Sequence, residues 1–193
     1  MTFKQKLLAQ AYPLLMKLIG SKHKGVQVNT HNVPPTTSMY DIPCTTGQGN
    51  ALHLSAYQGK YILIVNTASN CGFTKQYQAL EALYQAYHNK LVILAIPSND
   101  FKQQEAGSNE DIANFCSINY GITFPILAKC VVVTHAQQHP LYTWLSTAAL
   151  NGWNNAAPAW NFHKYLINTS GTLICTASSS VNPLDQRITN CII

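Results

Sequence analysis

The sequence predicts an α/β domain, and three observations carry that prediction. Two continuous apolar runs of strand length, residues 61–65 and 91–96, suit central parallel strands buried on both faces. Between them Phe73, Tyr77, Leu80, Tyr84 and Tyr87 recur at helical spacing, the mark of an amphipathic helix. Strand, helix and strand form a βαβ unit, whose crossover is right-handed. Nearer the C-terminus, residues 162–168 and 172–177 alternate around Ser170-Gly171 as a hairpin. A chain of 193 residues holds one such domain with an appendage, and buries a core without disulfide staples.

Taken in order, residues 3–19 mix lysines with apolar positions at helical spacing, so they predict an amphipathic helical arm interrupted at Pro13. Residues 21–38, rich in Asn, Thr and Ser and carrying Pro34-Pro35, predict a linker. The chain thus divides into an arm and linker over 1–38 and a body over 39–193. Residues 40–57 predict a hairpin with its turn at Thr46–Asn50. The Gly47-Gln48-Gly49 within it belongs to that turn, because no helix follows to hold a nucleotide phosphate. After the βαβ unit, a helix is expected over Asn109–Asn119 with Ile112, Phe115 and Cys116 inward. Further helices are expected over Pro140–Ala148 and Pro183–Thr189.

The formal charge of +5 comes from 12 Lys and Arg against 7 Asp and Glu. Lys4, Lys6, Lys17, Lys22 and Lys24 all precede the first acidic residue, Asp41, so the body is formally neutral. A neutral body lacks the basic stripe that nucleic acid requires. Two readings of the arm stand together: a basic helix lying on an anionic membrane surface through residues 1–19, or a helix packed on its own domain. Within the arm no uncharged run is long enough to span a bilayer. Lys17 directly follows the short apolar stretch and no A-x-A-like cleavage pattern comes after it, so the expectation is a cytoplasmic protein rather than an exported one.

Six cysteines, at 44, 71, 116, 130, 175 and 191, form no C-x-x-C. His135 and His139 lie in a polar, loop-like stretch and are expected to be solvated, so neither a metal site nor a cofactor is predicted. Cys71 stands apart. It follows the first buried strand and precedes the helix, at the carboxyl end of a parallel strand where open α/β sheets place their ligands. Helix N-termini favour anions, so this position is expected to raise the thiolate fraction, with Gly72 allowing close approach to the backbone.

The stretch Asn66-Thr67-Ala68-Ser69-Asn70-Cys71-Gly72-Phe73-Thr74, with Tyr77, resembles the active-site signature of glutathione peroxidases, with cysteine where some members carry selenocysteine. Residues 97–107 resemble the second motif of that family, and Trp160-Asn161-Phe162-His163-Lys164-Tyr165-Leu166 resembles the third. The similarity runs from about Tyr40 to Arg187. It implies a thioredoxin-like fold with a central mixed sheet flanked by helices, and a catalytic group of Cys71, Gln104, Trp160 and Asn161. It also implies a thiol peroxidase acting on hydrogen peroxide and organic or lipid hydroperoxides through a Cys71 sulfenic acid. Cys116 resembles the resolving cysteine of the thioredoxin-dependent members; the alternative is a core residue on the apolar face of its helix.

Ser98 stands where many relatives have a third cysteine, and Asp100, Lys102 and Ala106 replace the usual Gln, Gly and Pro. Ala159 replaces a basic residue often found before the tryptophan, and residues 172–177 lack an Arg common there. Fewer basic groups disfavour anionic glutathione and favour thioredoxin as reductant. A glutathione-dependent peroxidase and a peroxide sensor passing its disulfide to a client protein are the competing functions. The short segment between Trp144 and Trp160 points to a monomer.

Overall fold

The computed structural model describes residues 25–192, so the arm predicted over 3–19 lies outside the described residues. A five-stranded sheet forms the centre. Its strands are Val26–Val28 (β1), Tyr61–Thr67 (β4), Leu91–Pro97 (β5), Lys164–Ile167 (β6) and Leu173–Ala177 (β7), in the order β1-β7-β6-β4-β5. Pro43–Thr45 (β2) and Ala51–His53 (β3) make a separate hairpin, closed as predicted by a turn at 46–50. β4 and β5 run parallel, Tyr61 opposite Leu91 through Thr67 opposite Pro97, whereas β6, β7 and β1 add antiparallel. The sheet is therefore mixed, as the thioredoxin-like resemblance implies.

β5 is buried at every position and β4 at every position after Tyr61, which explains why both are unbroken apolar runs. The two faces feed two cores. Leu63, Val65, Ile93 and Ala95 pack with Tyr77, Leu80 and Leu83 of Gln76–Tyr87 (α1), and with Ile112 and Cys116 of Asn109–Tyr120 (α2). Ile62, Ile64, Leu94 and Ile96 pack on the other side with Leu141, Tyr142, Trp144 and Leu145 of Pro140–Leu145 (α3). α2 begins at a capping box, Ser108 accepting from the Asp111 N–H while Asp111 accepts from the Ser108 N–H, and ends at Gly121 in the left-handed region, φ 60°.

The structure corrects three expectations. The helix predicted over 140–148 divides into α3 and Ala148–Asn151 (α4), with Ser146 and Thr147 between them. The C-terminal helix is only Gln186–Thr189 (α5), because the Asn182 and Asp185 side chains and turn hydrogen bonds hold residues 182–185. The third correction is larger. The stretch predicted as linker supplies β1, which pairs with β7 at the sheet edge, Val26 opposite Ala177. Asn29 is buried, donating through Nδ2 to the Val33 and Leu173 carbonyls and accepting from the Val33 N–H. The Thr36 N–H then donates to Leu150 O at 3.0 Å, and the Trp144 indole donates to Thr37 O at 2.9 Å. Asn29 and Thr36 thus tie the stretch to the body, while most of its other polar side chains face solvent.

Candidate active site

Cys71 lies in the loop between β4 and α1, beside the carboxyl end of β4 where the topology places it. α1 starts later than the sequence suggests, at Gln76. Residues 71–78 enter it through a run of three-residue turns: Thr74 N–H to Cys71 O, Gln76 to Phe73 O, Tyr77 to Thr74 O and Gln78 to Lys75 O. Gly72 is accordingly in a turn ahead of the helix and not at its N-terminus. The helix dipole fades within the first turn, so the donor that matters at sulfur is local. It is the Phe73 N–H, which donates to Cys71 Sγ at 3.4 Å.

Thr74 holds this turn shut. Its hydroxyl donates to the Ala68 and Cys71 carbonyls and accepts from the Cys71 N–H at 3.0 Å. The thiol is left partly exposed at the surface of the α1–α2 core.

Of the other residues of the expected catalytic group, Gln104 is bonded to this loop and Asn161 to Gln104. The Asn70 N–H donates to Gln104 O at 3.1 Å, fixing the Cys71 loop against the second motif. Asn161 is fully buried and its Nδ2 donates to Gln104 Oε1 at 2.9 Å. That bond leaves Gln104 Nε2 to donate elsewhere. Trp160 precedes Asn161 and stacks at a tilt on Phe101, ring centroids 5.6 Å apart. Amide and indole N–H groups of this kind stabilise a thiolate or a departing oxyanion without adding a competing formal charge.

Cys116 is in the same core as Cys71 but fully buried in α2, where burial pushes its thiol up to about 11. It stands one turn from the C-terminus of α2, and the turn after it is solvent-facing, with Ile118 81% exposed. Freeing the thiol requires that exposed last turn to open.

Asn66 escapes sequence reasoning because an isolated polar residue at the end of an apolar run looks like the first residue of a loop. It is fully buried and grips the third motif at three points: Nδ2 to Trp160 O (3.1 Å), Oδ1 from the His163 N–H (3.0 Å), and its carbonyl from the Phe162 N–H (2.6 Å). Phe162 is held between these bonds at φ 66°, a strained value for a bulky residue. Asn66→Asp keeps the acceptor for His163 but turns an oxygen toward Trp160 O. A shift of about 1 Å in a catalytic group costs about 10²-fold, so we expect kcat/KM for peroxide to fall on that scale, measured beside a circular dichroism control.

Lys164 is also buried, its Nζ donating to Phe162 O at 2.7 Å, and burial lowers its ammonium to about 7. The unfolded chain holds this proton up to the ordinary lysine range, so it binds more protons than the folded chain above pH 7 and stability rises with pH there. Lys164→Met is therefore expected to stabilise the protein most below pH 7, by about 1–4 kcal/mol. The gain should shrink as pH rises toward about 10, as followed by denaturant titration at each pH.

His135 is exposed, accepting from the Gln137 N–H at 3.1 Å. His139 departs from the solvated expectation: it is partly buried and caps α3 by accepting from the Leu141 N–H at 3.2 Å.

Comparison with known proteins then places the chain. The family model described as glutathione peroxidase matches residues 39–146. The glutathione peroxidase-like peroxiredoxin 2 of Saccharomyces cerevisiae is 43% identical over 158 residues, covering 79% of this chain and 96% of its own length. The chain belongs to the glutathione peroxidase family. The glutathione peroxidase homolog BsaA of Staphylococcus epidermidis is 44% identical over 147 residues, 76% of this chain and 92% of its own. Among solved structures, the apo form of Trgpx superposes with a TM-score of 0.62 at 36% identity, covering 81% of this chain and 96% of its own. The fold is thus thioredoxin-like, and this glutathione peroxidase is an oxidoreductase that reduces peroxide through cysteine.

Two of this chain's departures from the family pattern acquire physical content. Lys102 stands in the usual glycine position and takes φ 57°, followed by Gln103 at φ 53°, so the loop carries left-handed backbone without glycine's freedom. Asp100 ties the same loop to the segment at 132–133, its Oδ2 accepting from the Val132 and Val133 N–H groups at 2.6 and 3.2 Å.

Proposed function

We propose that Cys71 is the peroxide-attacking residue of this peroxidase, with Gln104, Trp160 and Asn161 as its hydrogen-bonding partners, Cys116 as the resolving thiol and thioredoxin as reductant. The observation that carries the reading is the joining of three separated motifs at one loop: Asn70 bonded to Gln104, and Gln104 bonded to Asn161, beside a partly exposed thiol. The Cys71 thiolate attacks one peroxide oxygen, an S–O bond forms as the O–O bond breaks, and the departing oxygen leaves as water or alcohol after taking a proton. The Cys116 sulfur then attacks the sulfenic acid, forming the disulfide and releasing water. A thioredoxin dithiol restores both thiols by exchange.

In this reading the substrates are hydrogen peroxide and organic or lipid hydroperoxides, met by a thiol that is partly exposed. Ala159 and the absence of arginine from 172–177 support thioredoxin over glutathione, whose carboxylates seek cations. A catalytic cycle through free thiols suits a reducing cytosol. The lysines of residues 1–24 support contact with anionic membrane, and the short 144–160 segment supports a monomer. Among the described residues no helix is long and apolar enough to cross a membrane.

An NADPH-coupled assay run with a thioredoxin system and with a glutathione system tests the reading. Turnover should be faster with thioredoxin, and stoichiometric peroxide should remove two hydrogens from the intact mass, mapped to Cys71 and Cys116. Faster turnover with glutathione overturns the reductant, and a Cys71 that stays reduced overturns the mechanism.

A further inference from the structure

The last turn of α2 has to open before Cys116 can reach Cys71, and one side chain holds it down. Residues 117, 118, 119 and 121 are exposed, so of the five residues after Cys116 only Tyr120 packs inward. It stands four positions from Cys116, on the same face of the helix. Its ring meets that of Tyr77 of α1, centroids 5.3 Å apart, and that of Phe115 at 5.7 Å. Tyr77 is fully buried and also meets Phe162 edge-on at 5.4 Å. Phe162 is itself fixed by Asn66 and Lys164, so Tyr77 offers Tyr120 a rigid seat.

The hydrogen bonds of this turn do not anchor it to the body. Gly121 N–H to Ser117 O at 3.0 Å, Ile122 N–H to Cys116 O at 3.4 Å and Asn119 Nδ2 to Phe115 O at 2.9 Å all close within the same end of the helix. The chain on either side is anchored. Upstream, Ile112 lies in the core behind the capping box. Downstream, the Thr123 N–H donates to Glu81 Oε2 of α1 at 2.9 Å. Residues 116–121 can therefore unwind as a local unit, without moving what flanks them, once Tyr120 leaves Tyr77.

We propose that Tyr120 is a positioning residue that times the second half of the reaction. Seated on Tyr77, it keeps the last turn of α2 closed over Cys116, and its release sets the rate at which Cys116 reaches the Cys71 sulfenic acid. The proposal rests on the roles given above to Cys71 and Cys116. It has a chemical consequence. While the turn is shut the sulfenic acid persists, and a second hydrogen peroxide can add an oxygen to it, giving sulfinic acid and water. The hold of Tyr120 on Tyr77 thus sets how much Cys71 ends as disulfide and how much is overoxidised.

Tyr120→Ala tests this in the full-length protein. Alanine is the best helix former, so any loosening comes from the lost ring and not from helix propensity. In the reduced protein, hydrogen exchange of the amides over 117–121 should quicken by about 3–10-fold, the scale of one aromatic pair. After one equivalent of hydrogen peroxide, quenched intact mass should show Cys71 oxidised at the wild-type rate and the Cys71–Cys116 disulfide forming faster by the same factor. With excess peroxide the sulfinic share of Cys71 should fall in step. Tyr120→Phe keeps the ring and should restore wild-type behaviour in all three measurements. Tyr120→Leu, apolar but without a ring, should fall between, and carries the test if the alanine variant does not fold. Disulfide formation in Tyr120→Ala at or below the wild-type rate overturns the proposal, as does a Tyr120→Phe variant that behaves like it. A parallel loss in the first oxidation step would make Tyr120 merely structural and overturns it too. Failure of wild type itself to form the Cys71–Cys116 disulfide overturns the parent reading, and the proposal with it.

Discussion

Cys71→Ser should abolish peroxide turnover, a loss on the order of 10³-fold or more, the scale on which removal of a nucleophile falls. The serine hydroxyl keeps the site's shape and the Phe73 N–H as a neighbour, yet its proton is held far more tightly than a thiol's, so almost no anion exists to attack. Cys116→Ser should behave differently. Its Cys71 is oxidised by the first equivalent of peroxide, adding one oxygen, and then stalls or overoxidises for want of a partner. Stopped-flow consumption of one equivalent separates the two variants: none consumed by Cys71→Ser, one by Cys116→Ser, and continued turnover by wild type with thioredoxin. If Cys71→Ser consumes peroxide at the wild-type rate, the nucleophile lies elsewhere, and Cys44, Cys130, Cys175 and Cys191 are the thiols to examine. Burial pushes the first three up to about 11–12 and raises the fourth, so none is suited to form a thiolate at neutral pH.

Much of this site is legible in the sequence because its parts lie in short contiguous motifs, each attached to an element with a strong local signal. The β4 and β5 runs are apolar because both faces are covered, and that places the Cys71 loop at a strand end before any coordinate is known. What the sequence hides are contacts between distant segments that no local pattern records. Asn66 bonds residues 160–163 across about a hundred positions, and Glu105 reaches back to Ser69. Burial of a polar residue depends on what covers it. Glu105, Asn66 and Lys164 therefore look like ordinary polar residues in one dimension and become the charged and hydrogen-bonded frame of the site in three. The sequence suggests too early a start for α1 for a related reason: the turns over 71–78 keep a helix-like apolar spacing, and only their three-residue hydrogen bonds distinguish them.

Gly152→Ala should destabilise the protein by about 2–4 kcal/mol, combining left-handed backbone strain with overpacking, and for a chain of this size that lowers Tm by about 4–16 °C. Gly152 ends α4 at φ +101°, and a Cβ there would meet Pro34 O at 2.6 Å and Val33 O at 2.9 Å. Both are backbone atoms of the stretch whose composition suggests a linker. They cannot swing aside as a flexible side chain would, because Asn29 and Thr36 fix the strap on either side. Gly49→Ala supplies the control: its φ is +87° with no atom within 4 Å of the added carbon, so it isolates the strain alone, about 1–2 kcal/mol. The excess loss in Gly152→Ala then measures how firmly residues 33–34 are seated on the body. Equal Tm values for the two variants would mean that the strap yields freely and that 25–38 behaves as the linker its composition suggests. A larger drop for Gly152→Ala, together with little change in the initial rate of Cys71 oxidation, would make the strap part of the folded body, remote from the chemistry and required for its scaffold.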